Sequence, residues 1–211
     1  MLVEIVRRAV EELRAKEKVR EEIIDRARRA RILSKQAILL LHGRDMSGAI
    51  SRIDEARELL ARAKSLMGEH NLRYIEEIHE AEEEHAEASA FYGLKTSGIL
   101  PIPEDIGVSL EAYILGIGDV VGELRREALE GLRRGDVERA GEDLELMERI
   151  YLELLSMEEA SLFLKGLRRK LDVARGLIEE TRGEIASEIA RRRLSDSIEK
   201  LIERLNKLEK G

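Results

Sequence analysis

Leu110-Glu-Ala-Tyr-Ile-Leu-Gly-Ile-Gly-Asp-Val-Val-Gly-Glu-Leu-Arg-Arg126 is the stretch on which the fold turns. Its apolar residues Leu110, Tyr113, Ile114, Ile117, Val120, Val121 and Leu124, continued by Ala128, recur at steps of three and four, the period of one helix face. Ser109 stands where an N-cap belongs, and the pattern runs to about Arg134. Gly116, Gly118 and Gly122 interrupt it. An interior glycine costs about 1 kcal/mol relative to alanine, so three within two turns imply close approach by another helix or by a ligand. The sequence leaves both open.

Working outward, helical spacing continues almost throughout. A first helix spans about Leu2–His42 on the apolar set Ile23, Ala27, Ala30, Leu33, Ala37, Leu40 and Leu41, and Gly43-Arg44-Asp45 ends it. Ser47 is positioned to cap a second helix ending near Met67, with Gly68 behind it, and Asn71 to open a third that reaches about Tyr92. Residues 93–108 hold both prolines, Pro101 and Pro103, and read as the one substantial loop. After the helix at 110–134, Gly135-Asp136 starts another that ends near Ser156, and a long C-terminal helical stretch follows, with candidate breaks at Gly183 and Ser195. The expectation is an all-α, elongated bundle of about six or seven helices, with 1–211 as a single domain.

Composition agrees: of 211 residues, 38% are charged and only 3% aromatic, the profile of long charged helices. There is no cysteine, which excludes disulfides, thiolate chemistry and sulfur-ligated zinc. The N-terminus lacks an apolar core of signal-peptide length, and the run at 37–41 is too short for a bilayer, so a soluble, cytoplasmic protein with no membrane partner is expected. Asn71, Asn206 and Gln36 are the only side-chain amides beside 37 basic and 44 acidic residues, a balance that suggests a thermophilic source. A formal charge of -7 argues against a uniformly basic surface yet permits a local basic stripe. With so few aromatics, any nucleic-acid binding would be directed at the backbone and sensitive to salt.

Two acidic groups stand out. Asp119 and Glu123 are one turn apart on a single helix side, and Glu77, Glu80, Glu84 and Glu87 form a stripe along the third helix. Such a stripe is either a solvated acidic face or half of a carboxylate site for Mg²⁺ or Mn²⁺, hard cations that prefer oxygen. Glu76-x-x-His79 and Glu82-x-x-His85 have di-iron ligand spacing, but that site needs the motif on two helices and both copies lie on one. On the first helix Arg28, Lys35 and His42 recur every seven residues with Arg31 beside them, a ridge able to follow phosphates or simply to face water. Arg125 and Arg126 are a second basic candidate.

The 110–126 segment resembles the signature helix of the translin superfamily, above all of translin-associated factor X, whose pattern is Asp-Tyr-Leu-x-Gly-x-x-Asp-x-x-Gly-Glu-Leu. Ile32-Leu-Ser-Lys-Gln-Ala-Ile-Leu-Leu-Leu-His42 and Glu84-His-Ala-Glu-Ala88 are similar to two further segments of that family, in the same order. The resemblance covers about residues 20 to 190. It implies Glu84, Glu87, Asp119 and Glu123 as catalytic, metal-holding acids, and a Mg²⁺- or Mn²⁺-dependent endoribonuclease acting on single-stranded or structured RNA. It implies also a hollow homo-oligomer, typically an octamer, enclosing the nucleic acid against inward-facing basic residues. Arg28, Arg31, Lys35, His42, Arg125 and Arg126 are the candidates for that contact. The alternative is a non-catalytic scaffold for single-stranded RNA or DNA. Departures occur at Gln36-Ala37, at Glu111-Ala112 and in the proline-bearing 99–103 segment.

Overall fold

A computed structural model describes residues 1–157, 159 and 164–208. Among them are seven α-helices and no strand: α1 (Leu2–His42), α2 (Met46–Glu69), α3 (Glu76–Thr96), α4 (Pro103–Ile106), α5 (Leu110–Arg134), α6 (Val137–Leu155) and α7 (Leu167–Leu208). The all-α expectation holds. No helix among these residues is long and apolar enough to cross a membrane. The chain divides into two compact units, Met1–Val120 and Val121–Gly211, and α5 contributes to both.

In the first unit α1, α2 and α3 pack on a shared core in which Ile23, Ala27, Ala30 and Leu33 of α1 meet Ala56, Leu60, Ala63 and Leu66 of α2 and Ile78 and Ala81 of α3. The alanines let backbones come close, and the larger residues between them interdigitate. Residues 1–18 of α1 are exposed throughout, apolar ones included. Ion pairs one turn apart support this end, Arg7 with Glu4 at 2.6 Å and with Glu11 at 3.3 Å, and Lys16 with Glu12 at 2.9 Å.

In the second unit Ala128 of α5, Ala140 of α6 and Ile185 of α7 form a smaller core, flanked by Leu132, Val137, Leu144 and Ile189. Residues 191–208, the last part of α7, are exposed.

Element boundaries differ from the sequence reading in four places. The cap of α2 is Asp45, whose carboxylate accepts from the Gly48 N–H at 2.8 Å, while the Ser47 hydroxyl donates to that same carboxylate. An ionised acceptor outcompetes a hydroxyl for an amide. Asn71 closes α2 instead of opening α3: it adopts φ +52, and the Leu72 N–H returns to the Met67 carbonyl at 2.9 Å, the hydrogen-bond pattern of a left-handed helix end. The expected loop is shorter, because α3 continues to Thr96 and Pro103 begins the one-turn α4. Finally, α7 runs through Gly183 and Ser195 unbroken, the Ser187 hydroxyl donating to the Gly183 carbonyl inside it. Ser109 and Asp136 cap as expected, accepting from the Ala112 N–H at 3.3 Å and the Arg139 N–H at 3.0 Å.

Candidate nucleic-acid and metal site

The basic ridge of α1 and the acidic stripe of α3 face each other. Lys35 lies 3.0 Å from Glu84 and the Arg31 Nε 3.7 Å from it; Arg31 is also paired with Glu80, and Arg28 stands 3.9 Å from Glu77. Like charges spaced along one helix repel each other, and cations from a neighbouring helix cancel that cost. The two features that spacing alone could assign only to solvent or to function are therefore, within the chain, partners of one another. Glu87, one turn beyond Glu83, is 8% exposed and lies deeper than Glu84.

Gly116 fixes where α5 meets α3. A Cβ added there would lie 2.5 Å from the Glu83 carbonyl oxygen, 2.8 Å from the Ala86 Cβ and 2.9 Å from the Glu87 nitrogen. Only glycine permits such an approach, so of the two readings of the glycine-rich stretch, close helix packing accounts for this residue. Gly122 has no such neighbour; its added Cβ would meet only a Leu177 methyl at 4.0 Å. Asp119 lies one turn beyond Gly116, on the same side of α5, and Glu123 one turn further.

A staple that the sequence did not disclose holds the start of α5. Glu82 of α3, 5% exposed, accepts from the Lys64 ammonium of α2 at 2.8 Å and from the Ser109 hydroxyl at 2.9 Å, and Lys64 donates also to the Gly107 carbonyl. Each carboxylate oxygen is thus occupied, which makes burial of the charge tolerable. One turn along, His85 is fully buried, and neither ring nitrogen has a hydrogen-bond partner of good geometry. Burial pushes its pKa down from the usual 6.5 to about 4, opposed by the Ile106 backbone and Glu82 and assisted by the cations Arg57 and Lys64. His85 is therefore a neutral core residue. Tyr113 tethers the loop ahead of α5 by donating to the Pro101 carbonyl at 2.7 Å.

The remaining candidates are dispersed. The His42 ring packs against Phe91, with centroids 5.1 Å apart, at the C-terminus of α1. Arg125 is 18% exposed and engages α7: it donates to the Thr181 hydroxyl at 3.1 Å and the Leu177 carbonyl at 3.3 Å and pairs with Glu180 and Glu184. Arg126 is exposed. His79 sits 3.7 Å from Glu83. Among the described residues no three acidic or histidine side chains stand close enough together to hold a metal ion. The donor chemistry of Glu84, Glu87, Asp119 and Glu123, all oxygen and no sulfur, suits a hard cation.

Sequence reasoning met Glu82 only in the Glu82-x-x-His85 spacing and missed its role as a staple, because α3 offers many glutamates and nothing in their spacing marks which are buried. A clue was available in Lys64 and Ser109, a cation and a capping hydroxyl from two other helices, but pairing them with Glu82 requires the fold.

Comparison with known proteins follows the same outline. The Translin family model matches residues 18–180. An uncharacterised protein of Methanocaldococcus jannaschii is 28% identical over 188 residues, 88% of this chain and 83% of its own. Among solved structures, AfC3PO in a complex with duplex RNA is 36% identical with a TM-score of 0.78, covering 91% of this chain and 98% of the other. The structure of apo-NeC3PO is 30% identical with a TM-score of 0.77, covering 87% of this chain and 96% of its own. Signature helix, order of helices and these matches agree, and the chain belongs to the Translin family.

Proposed function

We propose that this chain binds RNA and cleaves it as a Mg²⁺- or Mn²⁺-dependent endoribonuclease, within a shell built from copies of itself, an octamer in the form the family resemblance implies. The observation that carries the nucleic-acid part is its likeness, over nearly its whole length, to AfC3PO, a protein whose structure includes duplex RNA. The catalytic part is supported by the signature helix and by the glycine-mediated contact that sets Asp119 one turn from where α5 crosses α3 beside Glu87. A cation held by Glu84, Glu87, Asp119 and Glu123 would neutralise charge on phosphodiester oxygens and acidify a water for attack. Glu84 already has Lys35 and Arg31 as partners. Its recruitment to an ion would release two cations of the α1 ridge toward phosphate, so metal and RNA binding would favour one another.

The test is incubation of labelled RNA with the pure protein across divalent metals, the Asp119→Asn variant alongside. Cleavage should disappear in the variant while RNA binding persists; equal cleavage by both proteins would refute the site. A second reading, a scaffold for RNA or single-stranded DNA without catalysis, is favoured by the lack of three converging donors among the described residues. It predicts RNA binding unchanged by chelator and no cleavage with any metal.

A further inference from the structure

Between α2 and α3 the chain displays an aromatic ring where burial would be the default. Leu72 packs against the first unit's core and Ile75 is part of it, so the two residues between them are held from both sides. Those residues are Arg73 and Tyr74, both exposed, with the tyrosine 71% accessible. Tyrosine usually buries most of its ring. Phe91, Tyr92, Tyr113 and Tyr151 do so to a greater degree, leaving Tyr74 the one mostly exposed aromatic side chain among the described residues.

Beside the ring runs a groove of about 390 Å³ whose apolar floor includes Met67, Ile78 and Val108. Its polar lining is Arg73, His79, Ser109 and the Lys64–Glu82 ion pair, whose two charges offset one another, so the exposed Arg73 supplies the positive charge of that wall. A flat π-face, an exposed guanidinium beside it and an apolar slot match a ligand that is both planar and anionic. A nucleotide is such a ligand. In a duplex, internal base faces are covered by their neighbours, so only an unpaired or terminal base offers a face to a ring.

We infer that Arg73 and Tyr74 form a subsite for one unpaired ribonucleotide, the ring stacking on the base and the guanidinium taking an adjoining phosphate. This rests on the RNA reading above and refines its substrate class to RNA with single-stranded ends or stretches. It also amends the compositional expectation that stacking contributes little, since a single well-placed ring suffices for one base.

The experiment compares a labelled single-stranded RNA with a blunt duplex of the same length, by fluorescence anisotropy, for wild type, Tyr74→Ala, Tyr74→Phe and Arg73→Gln. Tyr74→Ala should weaken binding of the single strand about ten-fold, Tyr74→Phe should retain it, and the blunt duplex should bind all of them alike apart from Arg73→Gln. That variant should lower the salt dependence of single-strand binding by about one phosphate contact. Wild-type affinity in Tyr74→Ala, or equal weakening toward both RNAs, overturns the subsite while the RNA reading stands. Displacement of the single strand by polyglutamate as readily as by RNA also overturns it, marking a general anion surface. If neither RNA binds the wild type, the RNA reading itself fails and the subsite with it.

Discussion

Acidification should weaken this protein through His85, and the size of the effect follows from its burial. The folded chain holds the imidazole neutral down to about 4, against 6.5 for an ordinary histidine. Above 6.5 the group is neutral in both folded and unfolded states and adds no pH dependence. As the pH falls through 6.5, the unfolded chain takes up a proton that the folded chain refuses, so stability declines, and the decline ends near pH 4 where the folded state also protonates. At about 1.4 kcal/mol per pH unit, the loss comes to roughly 3 kcal/mol over that window. Carboxylates titrate in its lower half, so the informative quantity is a difference between wild type and His85→Leu, in which their contribution largely cancels. Urea unfolding followed by circular dichroism, at several values from neutral pH to pH 4, should show wild type losing stability relative to the variant by about that amount. A difference that stays flat across the window would refute the neutral buried histidine.

Two further outcomes follow from the packing. Gly116→Ala forces a methyl into the Glu83 and Glu87 backbone, and should destabilise by about 1–3 kcal/mol, read as a lower urea midpoint; an unchanged midpoint would mean that α5 does not rest on α3 there. Arg125→Ala removes the α5 link to Thr181, Glu180 and Glu184 and should cost about 1–2 kcal/mol. Because α5 belongs to both compact units, calorimetry of that variant should show one transition moved as a whole; two resolved transitions would sink the expectation of a single domain.

How much of this was legible beforehand depended on whether a signal was local. The caps Ser109 and Asp136 are short-range patterns and were legible in the sequence, and so was the later part of the α5 seam, where Ile117, Val120, Val121, Leu124 and Ala128 are buried; at its start Leu110 is exposed, and Ala112 and Leu115 are buried instead. Asn71 was misassigned because an amide serves equally at the start of one helix and the end of another, and only the left-handed backbone at Asn71 decides. The α1 ridge and α3 stripe were each visible, but their pairing is a contact between residues some fifty positions apart, as in Arg31 with Glu80. Of the candidate site residues, choosing Glu84 and Glu87 from the stripe required the family resemblance, since helical periodicity treats all its members alike. His85 and Glu82 differ from their neighbours only in burial, which a single sequence does not encode locally.

The bare ends of α1 and α7 give the molecule a gradient of rigidity. Apart from the Arg192 guanidinium, which donates to the Gly135 carbonyl, their side chains are exposed, and a helix end so placed must hold itself together largely by propensity and side-chain pairs, which in water is marginal for a segment of about eighteen residues. Backbone amides there should exchange with solvent far faster than those flanking Ile23 or Leu60, both buried in the first unit's core. Val3, Val6, Val10 and Leu13 at one end and Leu194, Ile198, Leu201 and Leu205 at the other remain in contact with water. The firmness of these two segments is thus set by whatever shields those side chains, and so by protein concentration if the shield is another copy.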